Sequence, residues 1–283
     1  MSQTPDLRPS PIAGQWYPGD PARLAASVDG YIAAASLPPL EGEVVAVMAP
    51  HAGHLYSGPV AGYAFAAVLG LQPELVAVVS PMHYPVYEAL LTSAHDAYST
   101  PLGAVPVDQD AQQALNAYLQ VELGIELAPV KRDPEHSLEI ELPFLQRSLS
   151  SDFRLLPVMV RDTSSRVAHG LGNALARVLE GRPTLIVAST DLSHFYNQAT
   201  AHILDTEMLR RVEAFDPQAV LQAEDEGIGF ACGRGAVAAM LWAAKALGAD
   251  TVKLLHYATS GDVTGDMSQV VGYGAAAVLK SSS

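Results

Sequence analysis

A single cysteine, Cys232, stands in the 283 residues, so no internal disulfide can form and a reducing compartment is expected. Basic residues are scarce: 16 Lys and Arg face 30 Asp and Glu, a formal net charge of −14. Such a surface repels phosphate backbones and anionic lipid, so neither nucleic acid nor membrane is expected as a partner. No apolar run approaches the roughly 18 residues that a membrane-crossing helix needs. The opening MSQTPDLRPSP has no charged-then-apolar signal pattern, and a cytoplasmic location is the expectation. Neither a G-x-x-x-x-G-K-[ST] phosphate loop nor a G-x-S-x-G nucleophile elbow occurs. His51 and His54 form H-x-x-H, but without the helical glutamate of a zinc protease. Charged residues make up only 16%, against 49% hydrophobic, which excludes disorder over most of the length.

What is present is a series of continuous Val/Ile/Leu runs alternating with helical segments. Strands are predicted at Val44–Met48, Val76–Val79, FRLLPVMV, TLIVAS, TVKLLHYAT and VVGYGAAAVL. Helices are predicted from Pro21, over about Pro59 to Leu69, at QDAQQALNAYLQ, at SRVAHGLGNALARVLEG, from about Ala201 to Phe215, and at GRGAVAAMLWAAKALGAD. DPEHSLEIELPFLQRSL reads as one more helix, capped by Asp133, begun at Pro134 and bent at Pro143. This order indicates an α/β fold, a mostly parallel central sheet with helices on both faces. No linker interrupts it, so residues 1–283 are read as one domain.

Three of the apolar runs meet a histidine soon after they end. His51 follows the first and His83 the second, and Asp191 and His194 follow TLIVAS. In parallel sheets ligands bind beyond the carboxyl ends of the strands, so these loops can converge. Neutral imidazole is the commonest protein ligand for a transition metal, and two histidines with one anionic ligand suit Fe(II). Cys232, in FACGRGA, is a candidate for the anionic member. A helix N-terminus there and nearby Arg234 would both favour thiolate. Each residue also has a plainer reading. A lone histidine after a strand is commonly a hydrogen-bonded loop residue, and a lone cysteine a buried small hydrophobe. His54 could be an exposed loop residue, and Trp16 and Tyr17 core or pocket-rim packing. In EHSLE, Glu135 falls in the predicted helix's first turn, and His136 and Glu139 share a face. They form either an amphipathic surface or a set in which a carboxylate orients a working imidazole.

The segments AGQWYPGD, APHAGHLYSG, SPMH, TPLG, EHSLEIELPFLQ, STDLSH and ACGRGAV occur in this order. Together they resemble the Memo-like family, called AmmeMemoRadiSam system protein B in bacteria and archaea, from about Arg8 to Leu279. The resemblance implies a fold similar to class III extradiol dioxygenases and a divalent transition metal, Fe(II) favoured over Zn or Cu, at His51, His83 and Cys232. It implies His194 as acid/base with Asp191 beside it, and Trp16 near the cleft. Three departures stand out: Ser80 for the usual glycine before Pro81, Thr190 for the usual serine before Asp191, and His54 where an aromatic is common. His54 could therefore touch substrate or add a ligand. The functions implied are an iron-dependent dioxygenase-like redox enzyme, a zinc hydrolase, or a non-catalytic metal- or peptide-binding protein. The partner would be a small molecule or peptide, with a functional link to a radical-SAM protein.

Overall fold

The computed structural model of the chain describes residues 5–281. In chain order, β1 (Leu7–Arg8) leads to α1 (Pro21–Ala34), β2 (Glu43–Ala49), α2 (His54–Ala66) and β3 (Leu75–Pro81). Three short strands follow, β4 (Leu90–Ser93), β5 (Ala97–Thr100) and β6 (Gly103–Pro106), then α3 (Gln109–Leu123) and β7 (Leu127–Val130). A 3-10 turn at Glu139–Glu141 runs into α4 (Leu142–Ser148), β8 (Arg154–Val160), α5 (Ser165–Leu179) and β9 (Thr184–Ser189). The rest is β10 (His194–Tyr196), α6 (Gln198–Glu213), α7 (Pro217–Asp225), α8 (Arg234–Ala246), β11 (Thr251–Thr259), α9 (Ser260–Thr264) and β12 (Val270–Lys280). No described helix is long and apolar enough to cross a membrane.

The nine-stranded central sheet has the order β10-β12-β2-β9-β3-β8-β4-β7, with β11 also paired to β12. Its four middle strands, β2, β9, β3 and β8, are parallel, as their unbroken Val/Ile/Leu runs require. Antiparallel pairing is confined to the flanks, where β12 meets β10, β11 and β2, and β4 meets β8. A small second sheet joins β1, β5 and β6. Alternate residues of each middle strand serve opposite faces. Val47, Val76, Val78 and Val187 pack with α1, α2 and α4, while Met48, Ala77, Val79 and Ile186 pack with α3, α5 and α8. The fold is thus mixed α/β with both faces of the sheet covered. In register, Ala49 of β2 lies beside Ser189 of β9, so the loops after these strands leave the same rim.

Two expected elements differ. The segment from Asp133 is not one helix. Residues 133–138 are irregular, and only the 3-10 turn and α4 are helical. Pro143 therefore stands at the second position of α4, where its missing N–H costs nothing, and bends nothing. The helix expected from about Pro59 begins earlier, at His54, with Pro59 inside it. Its start is fixed by Gly53 as the capping residue and by the His54 amide, which donates to the Trp16 carbonyl at 2.8 Å. Close packing of α2 on α1 depends on Gly62, where a side-chain carbon would collide with the Tyr31 carbonyl.

Candidate metal site

β2 ends one residue before Pro50, and His51 follows as the chain turns over the rim. Its backbone N–H donates to Asp191 Oδ1 at 2.8 Å, tying the loop after β2 to the loop after β9. Its ring Nδ1 lies 3.0 Å from Ser189 Oγ. That hydroxyl is also 2.7 Å from the Ser137 carbonyl and 2.6 Å from Glu141 Oε1. A hydroxyl carries one proton, and the carbonyl can only accept it. Glu141 is fully buried, and burial pushes its carboxyl well above the usual range, so it holds its own proton. The consistent arrangement has Ser189 donating to Ser137 O while the Glu141 hydroxyl and His51 Nδ1–H both donate to Ser189 Oγ. His51 Nε2 then carries the lone pair and faces Cys232 Sγ at 3.2 Å, from which it can accept the thiol proton.

His83, two residues past β3, is fixed by Glu135. Its backbone N–H donates to Glu135 Oε2 at 2.6 Å and its Nδ1 to Oε1 at 2.9 Å, leaving Nε2 free. The amides of His136 and Ser137 each donate to Glu135 Oε1 at 2.9 Å. Burial acts to raise the Glu135 pKa, but the hydrogen bonds and charge of His83 and these amides outweigh it and hold the carboxyl well below the usual range. This is why EHSLE does not start a helix. The Glu135 side chain takes amides of its own segment, an arrangement that competes with helical bonding. Arg8, buried in β1, captures the rest. Its guanidinium donates to both carboxylate oxygens of Asp133, to the Glu135 carbonyl at 2.6 Å and to Glu139 Oε2 at 2.5 Å. Asp133 is therefore an ion-pair partner and not a helix cap. Glu139 orients no imidazole; besides Arg8 it accepts from Ser10 and from Tyr17 Oη at 2.7 Å.

These constraints bring His51, His83 and His136 together, each offering one ring nitrogen within 4.8 Å of the others. The His83 and His136 rings stack at 4.9 Å, and Trp16 lies on His136 at 4.2 Å. Burial holds His51 far below its ordinary pKa, helped by its imidazole neighbours, and brings His136 down to about 4. Both are neutral at pH 7, as ligands must be. Cys232 falls outside this cluster, although its Sγ is 3.2 Å from His51 Nε2. Burial and the neighbouring Asp191 push the thiol pKa up, and Arg234 turns to Glu224 and Asp225. Asp191 is itself pushed up to about 7 by burial, against the opposing amides of His51 and Ala52. His194 opens β10; its Nδ1 donates to the Leu192 carbonyl at 2.8 Å, and burial lowers its pKa. His54 is not an exposed loop residue. It is buried, brought to about 4 by burial, with its Nε2 donating to the Ile140 carbonyl at 3.1 Å.

A cleft of about 480 Å³ opens over the three imidazoles, with Trp16, Tyr56, Asp191 and His194 in its walls. His54 lines the adjoining cleft instead. The donor set fits a divalent transition metal, with two imidazoles whose second nitrogens are held by Ser189 and Glu135. His136 as a member of the cluster, Ser189, Glu141 and Arg8 escaped the sequence reading. Only the E-H-S-L-E spacing hinted at the first.

Comparison with known proteins identifies the family. The family model described as Memo-like protein matches residues 8–277. A MEMO1 family protein of Nitrosopumilus maritimus is 37% identical over 273 residues, covering 95% of this chain and 98% of that one. MEMO1 family proteins of Methanopyrus kandleri and Thermotoga maritima are 35% and 34% identical, each covering 93% of this chain and 96% of the relative. Among solved structures, the uncharacterized protein JW3007 of Escherichia coli K12 superposes with a TM-score of 0.50 at 11% identity, covering 83% of this chain and 99% of that one, a likeness of fold. The chain belongs to the Memo-like protein family.

Proposed function

We propose that the protein is a non-haem, metal-dependent oxidoreductase whose substrate presents two adjacent oxygen atoms, with Fe(II) as the preferred metal. One observation carries this reading: three imidazoles, each offering one ring nitrogen within 4.8 Å of the others, stand at the floor of an open cleft beside a fourth, His194. A redox-active metal there would supply Lewis acidity and electron transfer to a bound diol and dioxygen. The chain's own residues do the rest. Trp16 and Tyr56 bind the flat body of the substrate. His194 donates Nδ1–H to Leu192, so its Nε2 is the nitrogen that takes a substrate hydroxyl proton. Ser189 and Glu135 fix two of the imidazoles before substrate arrives. Cys232 joins the ligand set if metal binding displaces its proton, as coordinated thiols require.

A second reading, a zinc hydrolase, is favoured by the same three imidazoles, since three histidines with an open position suit a zinc-bound water. Two measurements separate them. Protein purified without added metal is assayed for metal content beside His51→Ala, and equal content in both removes the site. Oxygen uptake by Fe(II)-loaded protein is then measured across a panel of catechols. Uptake that vanishes in His194→Ala supports the oxidoreductase; no uptake, with anaerobic zinc-dependent ester or amide hydrolysis, replaces it with the hydrolase.

A further inference from the structure

We infer that the cleft selects ortho-diphenols whose substituents carry no negative charge and rejects their carboxylate-bearing analogues. The diol half of this statement rests on the oxidoreductase reading above; the charge half rests on the cleft walls.

Among the described residues, no lysine or arginine lines the cleft. Arg23 lines the adjoining one, which shares only Gln15 and Trp16 with it. Backbone amides could substitute for a cation, but several at this rim are already engaged. The amides of His51 and Ala52 serve Asp191, that of His54 serves the Trp16 carbonyl, and those of Tyr56 and Ser57 serve the Gly53 carbonyl. A carboxylate on the far end of a ring seated against Trp16 and Tyr56 would meet no lysine or arginine in these walls. An unpaired charge moved out of water is costly.

The walls that do exist favour a different occupant. Trp16 and Tyr56 are 37% and 40% exposed, the accessible aromatic surface of the cleft. Gly53 lies between them; a side-chain carbon there would sit 3.4 Å from the Trp16 carbonyl and 3.9 Å from the Tyr56 ring. Aromatic faces carry negative charge density, which attracts ring edges and cations and disfavours anions. The chain's net charge of −14 adds to this at long range.

The test is calorimetric titration of metal-loaded, unsubstituted protein with catechol, an aminoalkyl catechol and a carboxylate-bearing catechol. The three dimethyl ethers, which lack the free hydroxyls, are titrated in parallel. Quenching of Trp16 fluorescence in Trp242→Phe places the ligand in this cleft. The carboxylate member is expected to bind at least about tenfold more weakly than the neutral one in both series, since even modest unpaired charge has that effect. Gln15→Arg, which brings a cation to the rim, should narrow or invert the gap. Equal or tighter binding of the carboxylate member, or no quenching of Trp16 by any member, overturns the inference. If the charge order holds in both series but hydroxyls add no affinity and no oxygen is consumed, the charge selectivity stands and the oxidoreductase reading falls.

Discussion

Replacing Arg8 by methionine should be among the most damaging single changes outside the cleft. The guanidinium is 1% exposed and lies over the Tyr98 ring at 4.8 Å. It is bonded to Asp133 and Glu139, whose side chains are 5% and 0% exposed. Methionine keeps the apolar stem and removes the charge, which leaves two carboxylates buried without their counter-ion. Breaking such a pair from one side costs about 3–5 kcal/mol. With an m-value of about 3 kcal/mol/M, at the upper end for urea, the unfolding midpoint should fall by roughly 1–1.7 M. The double variant Arg8→Met/Glu139→Gln should recover part of the loss, because Gln can still bond Ser10 and Tyr17 without a charge. The same arginine holds the Glu135 carbonyl, so folded Arg8→Met should also retain less metal, by elemental analysis, than the parent. A loss below about 1 kcal/mol, or a double variant no better than the single one, would refute the ion-pair reasoning.

Further outcomes can be measured in the same way. Glu141 holds its proton when folded but ionises near pH 4.3 or so when unfolded, so the native state binds the extra proton above that pH and stability falls as pH rises. Glu141→Gln, which mimics the protonated acid, should flatten that fall between about pH 5 and 8 in urea midpoints; an unchanged slope counts against a protonated Glu141. Gly62→Ala should destabilise by about 1–3 kcal/mol, because backbone and not a flexible tip blocks the new methyl group; thermal unfolding checks it. Metal analysis of His136→Ala beside Cys232→Ser identifies the third ligand. The greater loss is expected in His136→Ala, and the reverse order would give that place to the thiol.

The sheet was legible because a strand buried on both faces must be apolar throughout, and β2, β3, β8 and β9 are. The histidines after them were legible because strand ends are where α/β sheets expose loops. The Asp133–Glu139 segment was not, since its propensities are helical, whereas Glu135 takes the segment's own amides and Arg8, more than a hundred residues earlier in the chain, holds Asp133 and the Glu135 carbonyl. The surroundings of Cys232 are not legible from its local sequence. A helix start and a nearby arginine favour thiolate, but the side chain is enclosed next to Asp191, and Arg234 has acidic partners of its own. β10 and α7 left no clear pattern, the first because three residues are too few to show a period.

β12 is made after every other strand of the sheet, yet it sits inside the sheet between β10 and β2. Until it arrives, β2 presents an unpaired edge, and such edges invite association between incomplete chains. β10, with His194 at its start, pairs only with β12. During synthesis His194 therefore gains its support last, and pairing between distant segments makes that closing step intrinsically slow.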